Sequence, residues 1–175
     1  DILIKQKIDV FLFINKSNSI SNYILKNMSV TYENEENNIG VSKALNKIIK
    51  RFSDANYDYL FTFDQDSMID KNFVKRMLKI FEKSLKHNQN IVCCSPTIVD
   101  VKFDNKKSKI HKESTKKNNY QYVNFAITSG SLFNRNSFFR VGKMNPLLFI
   151  DGVDTDWCER AIIKKFKLIK ANRIF

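Results

Sequence analysis

The most constraining stretch of this chain is Tyr59-Leu60-Phe61-Thr62-Phe63, which runs without a break into Asp64-Gln65-Asp66-Ser67. A short run of aromatic and β-favouring residues reads as a buried strand. Its abrupt end puts two carboxylates at the strand's carboxyl tip. Similar apolar runs read as strands at residues 10–14, 29–33, 91–94 (stopped by Pro96), 122–127 and 167–171. Helical patterns lie between them. Ala44, Leu45, Ile48, Ile49 and Phe52 recur at helical spacing, with Ser42 the expected cap. Phe73, Val74, Met77, Leu78, Phe81 and Leu85 share one face of a second helix, with Asp70 the expected cap. A third helix carries Trp157, Cys158, Ala161 and Ile162, and Trp157 reads as core. Strands alternating with helices predict an α/β domain with a parallel sheet in the first half and a more mixed second half.

Composition narrows the partners. Thirty Lys and Arg against 18 Asp and Glu give a net charge of +12, which suits anionic ligands such as nucleotide diphosphates, acidic headgroups or nucleic acid. A solvated basic surface is the plainer explanation. Part of the excess sits in the lysine-rich segment 102–119, which reads as a surface loop or hairpin. The three cysteines lack the spacing of a disulfide framework and fit a reducing cytoplasm. With His87 and His111 the only histidines, neither a Cys/His zinc site nor a Ser-His-Asp triad is expected. No apolar run is long enough for a transmembrane helix, and no signal peptide is visible. The chain opens on Asp1 and closes on an apolar run, so it reads as one domain trimmed at both ends.

Four places carry candidate chemistry. Asp64 and Asp66 stand where ligands gather in open α/β sheets, outside the carboxyl ends of the strands. Two carboxylates one residue apart can share Mg²⁺ or Mn²⁺ and so neutralise a diphosphate leaving group. A turn that caps the next helix is the bland alternative. Asp151, Asp154 and Asp156 form a second acidic cluster at a helix start. There the macrodipole favours negative charge, and a carboxylate can also act as a general base toward an acceptor hydroxyl. Thr128-Ser129-Gly130-Ser131 breaks a strand with small and hydroxylated residues, so Ser129 and Gly130 could admit a sugar or phosphate to the backbone; taken alone, an ordinary bulge is the simpler explanation. Asn38-Ile39-Gly40 precedes a helix N-terminus whose N–H groups can meet phosphate.

The order of these pieces is more specific than any one of them. Asn15-Lys16-Ser17-Asn18-Ser19 after a strand, then residues 38–46, Phe63-Asp64-Gln65-Asp66-Ser67, residues 128–131, and Phe149-Ile150-Asp151-Gly152-Val153-Asp154-Thr155-Asp156-Trp157-Cys158 resemble the family-2 glycosyltransferases, in particular their bacterial rhamnosyltransferase-like branch. The resemblance runs over residues 8–172. It implies a GT-A fold, a mixed sheet flanked by helices, here without its opening nucleotide-binding strand. It also implies an inverting transfer from a nucleotide-diphosphate sugar, with dTDP-L-rhamnose the expected donor, to a cell-surface or lipid-linked glycan. Carried across by position, Asp64 and Asp66 would serve the metal and diphosphate. Asp154 takes the base position, with Asp151 and Asp156 in the same catalytic cluster. Asn15, Asn38, Gly40, Asn46, Gln65, Ser129, Gly130 and Arg160 would lie toward the donor. The family usually has Asp where this chain has Asn15. A cytoplasmic location follows, with peripheral contact at the inner face of the plasma membrane, and no nucleic-acid partner is expected.

Two other readings compete. Haloacid-dehalogenase-like phosphatases also place Asp-x-Asp after an apolar strand, but they carry Thr or Val where Met68 stands, and their motif lies near the chain start. A basic nucleic-acid-binding module would use the +12 charge, yet the basic residues are scattered and the aromatics read as core.

Overall fold

The computed structural model describes residues 3, 8–16, 30–98, 119–172 and 174. β1 (Val10–Asn15) and β2 (Val30–Glu35) pair in parallel, from Val10 opposite Val30 to Asn15 opposite Glu35. There follow α1 (Val41–Asp54), β3 (Tyr59–Phe61), α2 (Phe73–His87), β4 (Ile91–Ser95), β5 (Tyr120–Val123), β6 (Leu132–Asn134), α3 (Arg135–Val141), α4 (Val153–Ile163) and β7 (Lys167–Ala171). The larger sheet has the order β3-β6-β4-β7-β5. Within it β4 and β7 run parallel, while β6 is antiparallel to both β3 and β4, and β5 to β7. The sheet is therefore mixed.

Side-chain alternation along the strands builds a three-layer core. Cys93, Phe133 and Leu168 face a cluster with Leu45 and Ile49 of α1, Phe138 and Val141 of α3, and Trp157, Cys158 and Ala161 of α4. Their strand neighbours Cys94, Leu132 and Ile169 face the opposite cluster, with Phe73, Val74, Met77 and Phe81 of α2. Burying each of these large side chains contributes about 1.5–3 kcal/mol. Val92 and Cys93 both join the first cluster, which the register shift between Ile91 and Cys93 permits. Trp157 is core: it stacks on Phe138 at 5.2 Å and meets Phe133 edge-on.

Several sequence expectations shift. The strand expected over 122–127 begins at Tyr120 and stops at Val123. Beyond it, Ala126 directs both backbone groups to the Cys158 thiol at 3.4 Å instead of to a neighbouring strand. Asp70 does not cap α2; its carboxylate accepts from the Asn72 N–H at 2.7 Å in the turn before the helix. Ser42 lies inside α1, and its hydroxyl donates to the Leu148 carbonyl. Helix α3 has no counterpart in the sequence reading. Residues 17–19 of the first polar turn and residues 102–118 of the lysine-rich segment lie outside the described residues. Among the described residues no helix is long and apolar enough to cross a membrane.

Candidate active site

The site grows from the end of β3. Past Phe61 the chain leaves the sheet, and Thr62 is gripped by the 128–131 loop. The Thr62 N–H donates to the Ser131 carbonyl at 3.2 Å, its carbonyl accepts from Gly130 N–H at 2.7 Å, and its hydroxyl donates to the Thr128 carbonyl at 2.5 Å. Gly130 has φ +72°, and a Cβ there would lie 2.9 Å from Pro96, so this grip requires glycine. The next turn is fixed by hydroxyls: the Asp64 N–H reaches Ser67 Oγ at 3.1 Å and Ser129 Oγ at 3.3 Å, and the two hydroxyls meet at 2.6 Å.

The same loop holds the second acidic cluster. The Thr128 hydroxyl donates to Asp154 Oδ1 at 2.5 Å. One turn further along α4, the Cys158 thiol docks on Ala126. Residues 126–129 therefore bridge the two clusters, with Thr128 on Asp154 and Ser129 on the Asp64 turn. The electrostatics agree. The Asp64 carboxyl is raised from its ordinary value, first by partial desolvation and then by the charges of Asp66 and Asp154, against a lowering bond from Ser129. Among the described residues neither Asp64 nor Asp66 forms an ion pair. Behind the site, burial holds the thiols neutral: Cys158 is raised to about 11, and burial likewise pushes up Cys93, which is close enough to feel Asp154.

The other candidate residues divide into groups. Asp156 pairs with Arg160 at 2.8 Å, and the guanidinium also donates to the carbonyls of Lys143 at 2.8 Å and Val141 at 3.3 Å. Asp151 and Gln65 are exposed beside the clusters. Asn15 latches the 38–40 turn: its Nδ2 donates to Asn38 Oδ1 at 2.9 Å and its Oδ1 accepts from Ile39 N–H at 2.9 Å. The Gly40 N–H also donates to Asn38 Oδ1, at 2.9 Å. At the N-terminus of α1 the Val41 N–H is taken by the Phe149 carbonyl at 2.6 Å, and both polar atoms of Asn46 face the backbone of Met144.

Thr62 escaped the sequence reading as a site residue, and Ser67 and Thr128 entered it only as members of motifs, with no role of their own. A threonine in or beside a strand carries no local sign of the hydrogen bond it will make 66 positions away.

The donor set can be tested against a divalent cation. No three His, Cys, Asp or Glu side chains among the described residues form a cage for one. Two carboxylates one residue apart on one turn, one of them feeling the charge of Asp154 and neither in an ion pair among the described residues, fit Mg²⁺ or Mn²⁺, which complete their coordination with water and phosphate oxygens.

Comparison with known proteins gives concordant results. The family described as Glycosyl transferase family 2 matches residues 3–146. The chain is 29% identical over 136 residues to the dTDP-rhamnosyl transferase RfbF of Shigella flexneri, a match covering 71% of this chain and 44% of that protein. The chain thus spans less than half the length of that curated relative. In fold it is similar to the crystal structure of GalNAc-T7 with UDP, GalNAc and Mn²⁺, with a TM-score of 0.64 at 14% identity over 93% of this chain and 36% of the other. That likeness supplies the GT-A architecture.

Proposed function

The chain belongs to glycosyl transferase family 2, with its likeness on the rhamnosyl transferase-like branch, and from that premise we propose that it is the catalytic part of an inverting, metal-dependent sugar transferase. The observation that carries this is the 126–129 bridge, which sets the Asp154 carboxylate beside the Asp64–Asp66 turn. Asp64 and Asp66 would hold Mg²⁺ or Mn²⁺, and the bound cation would neutralise the charge growing on a departing nucleotide diphosphate.

The chain's own residues do the rest. With Oδ1 held by Thr128, Asp154 keeps Oδ2 for the acceptor hydroxyl. It takes the proton as the acceptor oxygen attacks the anomeric carbon and the bond from that carbon to the diphosphate oxygen breaks on the opposite side. Asp156 is tied to Arg160 and serves the shape of α4 instead. The name of the Shigella relative, a dTDP-rhamnosyl transferase, supports dTDP-L-rhamnose as the donor. A surface or lipid-linked glycan is the acceptor in the same reading. A cytoplasmic location, with peripheral membrane contact, belongs to the same reading; three free cysteines suit a reducing compartment.

The test is calorimetry of dTDP binding with Mn²⁺ or with chelator. Mn²⁺ should tighten binding by about tenfold or more, and Asp66→Ala should erase that gain. Equal affinity with metal and with chelator would refute the metal role.

A further inference from the structure

The segment between α3 and α4 is bound along its length, and by two different helices. From α4, Trp157 Nε1 donates to the Gly142 carbonyl at 2.9 Å, and Arg160 holds the carbonyls of Val141 and Lys143. From there the chain runs back along α1 toward its N-terminus. Asn46 Nδ2 donates to the Met144 carbonyl at 2.9 Å, and Asn46 Oδ1 accepts from the Met144 N–H at 3.0 Å, copying one rung of a β-ladder with a side chain. Four residues earlier on α1, Ser42 holds the Leu148 carbonyl, and Val41 N–H holds the Phe149 carbonyl at 2.6 Å. Gly40 completes the seat: at φ +83°, a Cβ there would come within 2.7 Å of both the Phe149 ring and its carbonyl. The segment then passes directly through Asp151 and Gly152 into the first turn of α4, which carries Asp154.

We infer that Asn46 is a positioning residue for the catalytic base, acting through the 144–150 segment and not through the donor. The inference rests on Asp154 being that base. Asn46 is the one side chain of α1 that grips both backbone groups of a single residue in the segment. Met144 itself is buried, so releasing it frees a core anchor as well as two polar groups. With α4 fixing residues 141–143 and α1 fixing 144–149, where the first turn of α4 begins is set jointly by the two helices. Small misplacements of a reacting group are expensive in rate. Leu147, Phe149 and Ile150, 90%, 53% and 57% exposed, line the outward side of the same segment, so its placement also sets the surface beside Asp151 that an incoming acceptor meets.

The experiment compares the wild-type protein with Asn46→Ala and Asn46→Asp by hydrogen exchange, dTDP binding with Mn²⁺, and turnover of dTDP-L-rhamnose with water as acceptor. In Asn46→Ala, exchange should quicken across 144–150 and onward through 151–156. There kcat should fall about tenfold to a hundredfold, while the donor KM and the dTDP Kd stay within about twofold. Asn46→Asp keeps an acceptor for the Met144 N–H and should recover part of the lost protection and part of kcat. Weaker dTDP binding with unchanged exchange would make Asn46 a donor contact and overturn the proposal. Faster exchange confined to 144–150 with kcat intact would reduce it to local packing and overturn it equally. If the wild type neither binds dTDP nor turns the donor over, the transferase reading fails; the exchange profile of 151–156 still decides whether Asn46 sets that turn.

Discussion

The chain contains two Asp-x-Asp pairs with opposite electrostatic fates. Asp154 and Asp156 sit in the first turn of α4, where the helix rotates one to face the 126–129 loop and the other to face away. Asp154 meets a hydroxyl, and Asp156 meets the Arg160 guanidinium four residues on. Asp64 and Asp66 instead lie on a turn that a serine pair holds open, with no cation among the described residues to balance them. A paired carboxylate mostly shapes the protein, whereas one held unpaired against its neighbours signals a ligand yet to arrive. Identical spacing therefore yields a structural ion pair in one place and a candidate metal site in the other.

The most severe test of that contrast is Asp154→Asn against Asp156→Asn. The amide at 154 still accepts from Thr128, so the bridge survives while the base is lost. Transfer should fall by about 10²–10⁴-fold, with dTDP affinity unchanged. Asp156→Asn should keep transfer within about tenfold of wild type, because its carboxylate faces Arg160. Loss of transfer and donor binding together in Asp154→Asn would make Asp154 a structural group. A collapse of activity in Asp156→Asn with stability intact would erase the distinction between the pairs.

A middle-sized effect is expected at Arg160. Its guanidinium holds Asp156 and the carbonyls of Val141 and Lys143 in a partly buried position. Arg160→Leu should cost about 1–3 kcal/mol in urea unfolding, as three charge-assisted contacts are lost at once. dTDP affinity should hardly change. A drop in that affinity without a stability loss would return Arg160 to the donor phosphates.

Much of this was legible in the sequence, for identifiable reasons. The apolar run at 59–63 ends in carboxylates, and the 151–156 cluster opens a helix; both signals are local, and both acidic groups fall where the motif order put them. β7 was legible to the residue because Lys167–Ala171 is bounded by a turn and alternates across the sheet. What stayed hidden depends on long-range pairing. α3 is seven residues with Phe138 and Phe139 at its centre, too short for helical periodicity to show. Asn46 and Met144 are 98 positions apart, and an asparagine on a helix face announces no partner. Gly40 was legible as special but not for its reason: it makes room for Phe149.

The smallest expected effect is the most direct probe of the unbalanced pair. In the folded protein the Asp64 carboxyl titrates above its value of 3.8 in an unstructured chain, so the unfolded chain ionises it more readily. Ionisation of Asp64 therefore opposes folding. The penalty is absent well below pH 3.8, grows as pH rises through that value toward the raised folded one, and stays constant above it. Asp64→Asn carries no such penalty. Without metal at neutral pH it should melt above wild type, and the gap should close as the pH falls into the unfolded titration range. Mn²⁺ with dTDP should reverse the order, because wild type gains a ligand that the variant holds poorly. An Asp64→Asn protein that melts below wild type at neutral pH without metal would mean that Asp64 is balanced as Asp156 is, and the two pairs would no longer differ in kind.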